Sequence, residues 1–160
     1  VGSRGFVVGG RGGAARMEGV SLMTFVGREL DRMERILTDV LGARRIYDSG
    51  AEGFSLSAER FFDVAGLWIA VMQGDPLPAR SYNHVAFKVS EADLPKLTEK
   101  VKALGLEVKP PRPRVEGEGQ SLYFYDEDNH LFELHSGTLA QRLARHERDA
   151  SVLPPASGAG

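Results

Sequence analysis

Apolar side chains recur at helical spacing in two stretches of the chain, residues 28–43 and 90–105. The strand-like run SLMTFVG precedes the first stretch and NHVAFKV precedes the second. Ser90 is the expected N-cap of the second helix, and several strand-like runs follow each helix. The apolar helix positions are Leu30, Met33, Ile36, Leu37, Val40 and Leu41 in the first stretch, and Leu94, Leu97, Val101 and Leu104 in the second. The pattern predicts two copies of one strand–helix–strands unit.

The two units span Gly19–Gly74 and Tyr82–Gly137, and each closes on a strand that ends in glycine. The proline-containing stretch 75–80 joins them. We predict an α+β fold in which two such units form sheets with helices on one face and a concave space between them. This layout resembles the paired βαβββ repeats of the vicinal oxygen chelate fold. A ferredoxin-like α+β domain would account for the layout nearly as well.

The predicted domain occupies residues 18–148, with a terminal helix over 138–148. Residues 1–17 form a glycine- and arginine-rich leader or tag, and we expect it to be disordered. Its apolar patch is too short for the core of a signal peptide. Residues 149–160 are rich in proline, glycine, alanine and serine, and we expect a disordered tail there.

Composition excludes several classes of function. The 160 residues carry a net charge of -2 and have a pI near 6.1, which argues against the broad basic face that nucleic acid requires. The absence of cysteine excludes disulfides, thiolate zinc sites and a cysteine nucleophile, and it favours a cytoplasmic location. No apolar run approaches the length of a membrane span, so we expect no membrane partner.

Comparison of the two units identifies candidate metal ligands. Alignment of the opening strands places His84 opposite Leu22, and alignment of the closing strands places Glu133 opposite Ala70. A strand histidine is by itself more often a structural residue than a ligand. A carboxylate within the apolar run LFELH is costly to bury unless it is paired or binds a cation. Glu133 is therefore a stronger candidate ligand than His84. An imidazole and a carboxylate together suit Mn, Fe, Ni or Zn.

Five motifs make a resemblance to a known family specific. They are SLSAERFF, RSYNHVAFKV, PPRPRVEGEG, SLYFYDEDNHLFELHSGTL and QRLARH. In order and spacing they resemble the manganese-dependent fosfomycin resistance proteins, and most of all the hydrolase branch, from about Glu18 to His146. The resemblance implies a homodimer that exchanges its first strand, binds Mn²⁺ and hydrolyses the epoxide of fosfomycin, a small phosphonate, to a vicinal diol without a thiol cosubstrate.

The resemblance also implies roles for individual residues. His84 and Glu133 match two of the family's three metal ligands, whereas the third position is Leu22, which cannot donate to a metal. Glu59 matches the general base that activates water, and Thr24 matches an active-site threonine. The matching phosphonate-binding residues are Arg142, Tyr123 and Ser121, with Arg114 as a further cation for which Arg112 is equally eligible.

Three alternatives stay open at this point. His135 shares the predicted face of Glu133 and is either structural or part of a rearranged metal site. Loss of the ligand at Leu22 is also compatible with a phosphonate-binding protein that has weak or no catalysis. A thiol transferase of the same superfamily is a further alternative, although Glu59 argues against it.

Overall fold

A computed structural model describes residues 13–50, 57–110 and 116–152. Most of the predicted leader and of the predicted tail lies outside these ranges. Residues 14–21 carry no regular structure. In the described part of the chain, no helix has both the length and the apolar composition that crossing a membrane requires.

The first repeat has the predicted strand–helix–strands order. Its elements are β1 (Leu22–Gly27), α1 (Leu30–Arg35) with a π-helical continuation (Ile36–Val40), β2 (Arg44–Asp48), β3 (Glu59–Val64) and β4 (Leu67–Gln73). The π-helical turn closes with a bond from Leu41 N to Ile36 O, and Gly42 follows with a positive φ of 65°, as a helix terminus favours.

The second repeat repeats this order with one strand reduced. Its elements are β5 (His84–Lys88), a 3₁₀ turn (Glu91–Asp93), α2 (Leu94–Ala103), β6 (Ser121–Tyr125) and β7 (Leu131–His135). In place of the counterpart of β2, a single bridge pairs Val108 with Phe124. Pro110 follows two residues later, and a proline has no backbone N–H to extend the ladder.

Two details of the helices correct the sequence predictions. Ser90 makes no side-chain capping bond, and the helical path begins with the 3₁₀ turn before α2 starts at Leu94. The terminal helix, α3, spans Leu139–Val152 rather than 138–148, so residues 149–152, predicted to be disordered, are helical.

The two sheets have matching topology and register. The strand order is β1-β4-β3-β2 in the first sheet and β5-β7-β6 in the second. In the parallel pair β1–β4, Thr24 lies opposite Ala70, and in the parallel pair β5–β7, Ala86 lies opposite Glu133. The internal alignment predicted from sequence is therefore confirmed, because Leu22 and His84 both precede these positions by two residues on their strands.

The helices cover one face of each sheet and leave the other open. Phe62, Ile69, Phe124 and Leu134 are fully buried beneath the helices. Side chains alternate between the two faces of a strand, and the residues between these buried positions project from the uncovered faces. The functional candidates on the strands lie on these uncovered faces.

The turn between β6 and β7 docks on the end of β1 and joins the repeats. The Asp128 carboxylate accepts bonds from Arg28 N at 3.2 Å and from Arg28 Nε at 3.0 Å. Leu77, in the linker, donates its N–H to Asp128 O at 3.2 Å. Asp128 is only 2% exposed, so this is a buried seam.

Candidate functional site

The uncovered face of the second sheet carries polar side chains from all three strands. The antiparallel register places Tyr123 opposite Glu133 and Ser121 opposite His135, and the parallel register places Lys88 opposite His135. This alternation explains how the short runs SLYFY and LFELH each supply several polar groups to one surface while burying the residues between them.

His84 and Glu133 meet on this face. The Nε2 atom of His84 lies 2.9 Å from Oε2 of Glu133, and its Nδ1 lies 2.6 Å from the carbonyl oxygen of Tyr82. A carbonyl only accepts, so Nδ1 carries the hydrogen. In a neutral ring, Nε2 then directs its lone pair at a carboxylate oxygen. Two acceptors at this distance repel unless a proton or a cation lies between them.

This pair fits a divalent ion as two of its ligands. Two ligands at right angles, on metal–ligand bonds of about 2.1 Å, lie about 3 Å apart, which is close to the observed Nε2–Oε2 distance. A ring N–H donated to a backbone carbonyl is the usual way in which a ligating histidine is oriented. The described residues contain no cluster of three or more histidine, aspartate or glutamate side chains arranged to hold a metal. Water or substrate would have to complete the shell.

The Glu133 carboxylate is buried but ionised. It is 7% exposed, and its Oε1 accepts a bond of 2.7 Å from Ser121 Oγ. Burial acts to raise the pKa of Glu133, but hydrogen bonds from Ser121 and Tyr123 and the nearby imidazoles of His135 and His84 outweigh burial, so the pKa is lowered. The site thus holds a negative charge ready for a cation.

Tyr123 keeps its hydroxyl proton. Burial raises the pKa of Tyr123, and its interactions with Tyr82 and Glu133 raise it further. The Tyr82 and Tyr123 rings are stacked with centroids 6.5 Å apart, and both contact the His84 ring edge-on. These aromatic rings surround the imidazole and limit its movement.

The predicted residues of the first repeat lie on the uncovered face of the first sheet. Leu22 and Thr24 are exposed there, and Glu59 begins β3 opposite Met72 on β4. Glu59 N donates to Ser49 Oγ at 3.0 Å, which fixes the backbone at this corner of the sheet. In the described part of a single chain, no hydrogen bond or ion pair joins Leu22, Thr24 or Glu59 to the His84–Glu133 pair.

The predicted phosphonate arginine lies on α3. Arg142 Nε is 3.3 Å from Glu118 Oε1, and Arg145 donates to the same carboxylate. The Arg145 hydrogen bond is the main cause of a lowered pKa of Glu118, and the charge of Arg142 adds to it. Arg114 and its alternative Arg112 lie outside the described residues.

Sequence reasoning missed two partners of the site. One is the Tyr82 carbonyl, which fixes the tautomer of His84; a backbone acceptor leaves no trace in side-chain patterns. The other is Glu118, whose partner Arg142 is distant in the chain. The signal for Glu118 is its place in VEGEG, because the flanking glycines bring that loop against the start of α3: a Cβ at Gly119 would overlap the backbone of Gly137.

Comparison with known proteins agrees with this fold. Residues 19–134 match the family model described as "Glyoxalase/Bleomycin resistance protein/Dioxygenase superfamily", and the chain belongs to that superfamily.

Named relatives identify the family within the superfamily to which the chain belongs. The chain is 59% identical over 129 residues to a fosfomycin resistance protein FosX of Mesorhizobium japonicum, covering 81% of this chain and 93% of the relative. It is 50% identical over 130 residues to FosX of Listeria monocytogenes, covering 81% of this chain and 98% of the relative. The chain therefore belongs to the FosX family of fosfomycin resistance proteins.

A solved structure extends the likeness to three dimensions. A glutamate-to-glutamine variant of the Listeria monocytogenes FosX, crystallised with Mn(II) and 1S,2S-dihydroxypropylphosphonic acid, superposes with a TM-score of 0.75 at 49% identity. The match covers 82% of this chain and 99% of that one.

Proposed function

We propose that this protein hydrolyses the epoxide ring of fosfomycin to a vicinal diol phosphonate in the cytoplasm, with Mn²⁺ or another divalent ion bound by His84 and Glu133. The observation that carries the proposal is the 2.9 Å approach of His84 Nε2 to Glu133 Oε2, with the Nδ1 hydrogen already committed to Tyr82. The relatives named for fosfomycin resistance, and the relative crystallised with Mn(II) and a diol phosphonate, support it.

Residues of this chain have separate proposed roles in proton transfer and substrate binding. Glu59 accepts a proton from water as the water oxygen bonds to an epoxide carbon and the ring C–O bond breaks. A divalent ion held by His84 and Glu133 would supply charge stabilisation for the epoxide oxygen. That oxygen takes a proton from solvent after the ring opens. Arg142 offers a guanidinium to the phosphonate. Tyr123 donates to Glu133 in the single chain and would turn its protonated hydroxyl to the phosphonate when substrate binds. Thr24 is the proposed active-site hydroxyl of the first sheet.

Assembly into a homodimer belongs to the same proposal. The first sheet presents an uncovered face with Thr24 and Glu59, and the second presents one with His84 and Glu133. Leu22, at 36% exposure, and Trp68, at 38%, leave apolar area on the first face open to solvent in a single chain. A second copy that places the first face of one chain over the second face of the other, by exchange of the first strand, would cover this area and complete the site.

Leu22 sets the limit of this activity. A metal held by two protein ligands rather than three binds more weakly, and substrate or water must supply the remaining contacts. A phosphonate-binding protein with weak or no catalysis is therefore the second candidate function, and Leu22 is the observation that favours it.

Phosphorus NMR of fosfomycin incubated with the purified protein and Mn²⁺ tests the proposal. We expect conversion to the diol, lost on chelation of the metal. The Leu22→His variant runs beside it as the three-ligand reference. Turnover by the variant alone would support the binding protein, and the absence of diol in both samples would overturn the hydrolase.

The same spectra separate water from a thiol as the nucleophile. A parallel sample contains a low-molecular-weight thiol at millimolar concentration. Because the proposed mechanism uses Glu59 to activate water, we expect the diol as the product in both samples. A thiol adduct would instead identify a transferase.

A further inference from the structure

A directed chain of hydrogen bonds runs across the second sheet to Glu133. Ser121 Oγ lies 2.7 Å from Glu133 Oε1 and 2.7 Å from His135 Nδ1. The serine hydroxyl has one hydrogen, and an ionised carboxylate can only accept, so Ser121 donates to Glu133. The His135 Nδ1 must then carry a hydrogen and donate to Ser121.

The hydrogen bonds from His135 through Ser121 fix both oxygens of the Glu133 carboxylate. Oε1 is held by Ser121, which leaves Oε2 facing His84 at 2.9 Å. The bond from His135 occupies a lone pair of the Ser121 oxygen and limits rotation of the hydroxyl, so that its hydrogen stays directed at Glu133. The imidazole therefore acts on Glu133 through the orientation of Ser121.

The packing around His135 holds its ring in place. Gly137 leaves the space that the ring occupies, since a Cβ at Gly137 would lie 2.5 Å from His135 Nε2. The side chain is 25% exposed, and its Nδ1 lies 3.6 Å from Glu133 Oε1, beyond direct hydrogen-bonding distance. Ser121 is thus the intermediary between the two residues.

We propose that His135 is a positioning residue of the metal site, which orients the Glu133 carboxylate through Ser121. This inference rests on the proposed metal-dependent function and adds a role to it. It also gives Ser121 a duty other than phosphonate binding, because its single hydrogen is committed to Glu133. A direct metal–His135 bond is the alternative, and it requires Nδ1 to lose the hydrogen that it donates to Ser121.

Mn²⁺ titration of the full chain without substrate, with free Mn²⁺ measured by electron paramagnetic resonance, tests this role. We expect His135→Ala to weaken Mn²⁺ binding about 10- to 100-fold, the loss typical of residues that orient metal ligands. His135→Asn keeps a nitrogen donor close to the position of Nδ1 and should restore most of the affinity. The control is His146→Ala, which removes an exposed imidazole on α3 and should bind Mn²⁺ like the parent chain.

A second pair of variants tests the route through Ser121. Ser121→Ala should weaken Mn²⁺ binding to a similar degree, and the double variant with His135→Ala should bind no more weakly than Ser121→Ala alone. Thermal melts monitored by circular dichroism confirm that each variant is folded at the titration temperature.

The possible failures are distinguishable. If the parent chain binds no Mn²⁺, the proposed metal centre fails and this inference fails with it. If the parent chain binds Mn²⁺ and His135→Ala binds it equally well, only the positioning role is overturned. If His135→Asn binds as weakly as His135→Ala, or the two single losses add in the double variant, His135 acts as a ligand or independently of Ser121, and the inference is overturned.

Discussion

The first residues of strands β1 and β5, Leu22 and His84, differ in their ability to bind a metal. Leu22 has no lone pair, whereas His84, at the equivalent position, directs Nε2 at a carboxylate. Leu22 lies 36% exposed in a single chain, and in the proposed dimer a histidine there would face the metal, so a polar replacement would bury no unpaired group. The chain can therefore accept a third ligand without a large loss of stability.

Leu22→His should raise the affinity for Mn²⁺ by at least about 10-fold, because supplying a direct ligand exceeds the effect of residues that only orient ligands. Free Mn²⁺ measured by electron paramagnetic resonance reports the change. Ile46→His, at a similarly exposed apolar position on edge strand β2, is the matched control and should leave the affinity unchanged. Equal gains in both variants would show non-specific binding by added imidazoles.

Glu59→Gln should lower the rate of diol formation about 100- to 10,000-fold, the usual contribution of a general base, while fosfomycin binding persists. Phosphorus NMR gives the rate and calorimetry gives the binding. Asp63→Asn changes another carboxylate of β3 and should retain turnover. Unchanged turnover in Glu59→Gln would remove Glu59 from the mechanism.

At the scale of elements, the seam between repeats depends on a close approach at Gly27. A Cβ there would overlap the Asp128 carboxylate and would lie 2.6 Å from Met33 Sδ. The same carboxylate holds Arg28 by two bonds. Glycine at the end of β1 therefore lets the β6–β7 turn of the second repeat reach the first.

Gly27→Ala should destabilise the protein by about 2 kcal/mol, within the range for overpacking a buried contact. Urea unfolding followed by circular dichroism measures the loss. Gly74→Ala is the comparison and should lose less stability. The Cβ there would meet only Val26 Cγ1, at 2.7 Å, on an uncovered face. If the two variants lose the same stability, the seam has no special sensitivity at Gly27.

A second element-scale contact ties α3 to the loop that contains Glu118. Its carboxylate pairs with Arg145 and lies 3.3 Å from Arg142 Nε. The pKa of Glu118 is lowered from its ordinary value of 4.5, chiefly by the Arg145 hydrogen bond. A lowered folded-state pKa means that the stabilisation is complete above the ordinary value and is lost as the pH falls through the folded-state pKa.

Hydrogen exchange of the α3 amides should therefore speed up in acid, after correction for the intrinsic pH dependence of exchange, as Glu118 becomes protonated. Glu118→Gln should show reduced protection at neutral pH and little further change in acid. Glu116→Gln, in the same loop, should behave like the parent chain. A parent-like profile in Glu118→Gln would contradict a role for this carboxylate in docking α3.

Local patterns were sufficient to predict the repeat, the internal alignment of its two halves and the pairing of His84 with Glu133, because strand alternation fixes which side chains share a face. They were not sufficient to predict that the described part of the second repeat has three strands, with a single bridge at Val108 in place of a fourth. The partner of Arg142 was also unpredictable, since loop 116–120 meets α3 only through tertiary packing.

At the scale of the whole molecule, the proposed homodimer would bring the two uncovered sheet faces together. The first face contributes apolar area and a carboxylate, and the second contributes the His84–Glu133 pair with its hydroxyl and imidazole partners. Within the described part of a single chain, no hydrogen bond or ion pair connects Glu59 with that pair. Catalysis by the proposed mechanism thus depends on association.

Val26→Asp places a charge on the uncovered face of the first sheet, where Val26 is 38% exposed. We expect a shift from dimer to monomer in analytical ultracentrifugation and a loss of turnover, with Mn²⁺ binding retained because His84 and Glu133 lie on the other sheet. Leu143→Asp charges an exposed apolar position on α3 and should leave the assembly intact. A monomeric parent chain, or a dimeric Val26→Asp variant, would contradict this mode of association.

The shared register of the two repeats has an evolutionary consequence. In the first repeat, Leu22 and Ala70 occupy the places that His84 and Glu133 hold in the second. The duplicated unit confines the proposed metal ligands to one copy, while the other copy retains the same strand geometry with apolar side chains at the matching positions. Substitutions at Leu22 and Ala70 leave His84 and Glu133 in place. The first repeat therefore offers a second pair of matching strand positions at which new metal ligands, and with them new reactions, can arise.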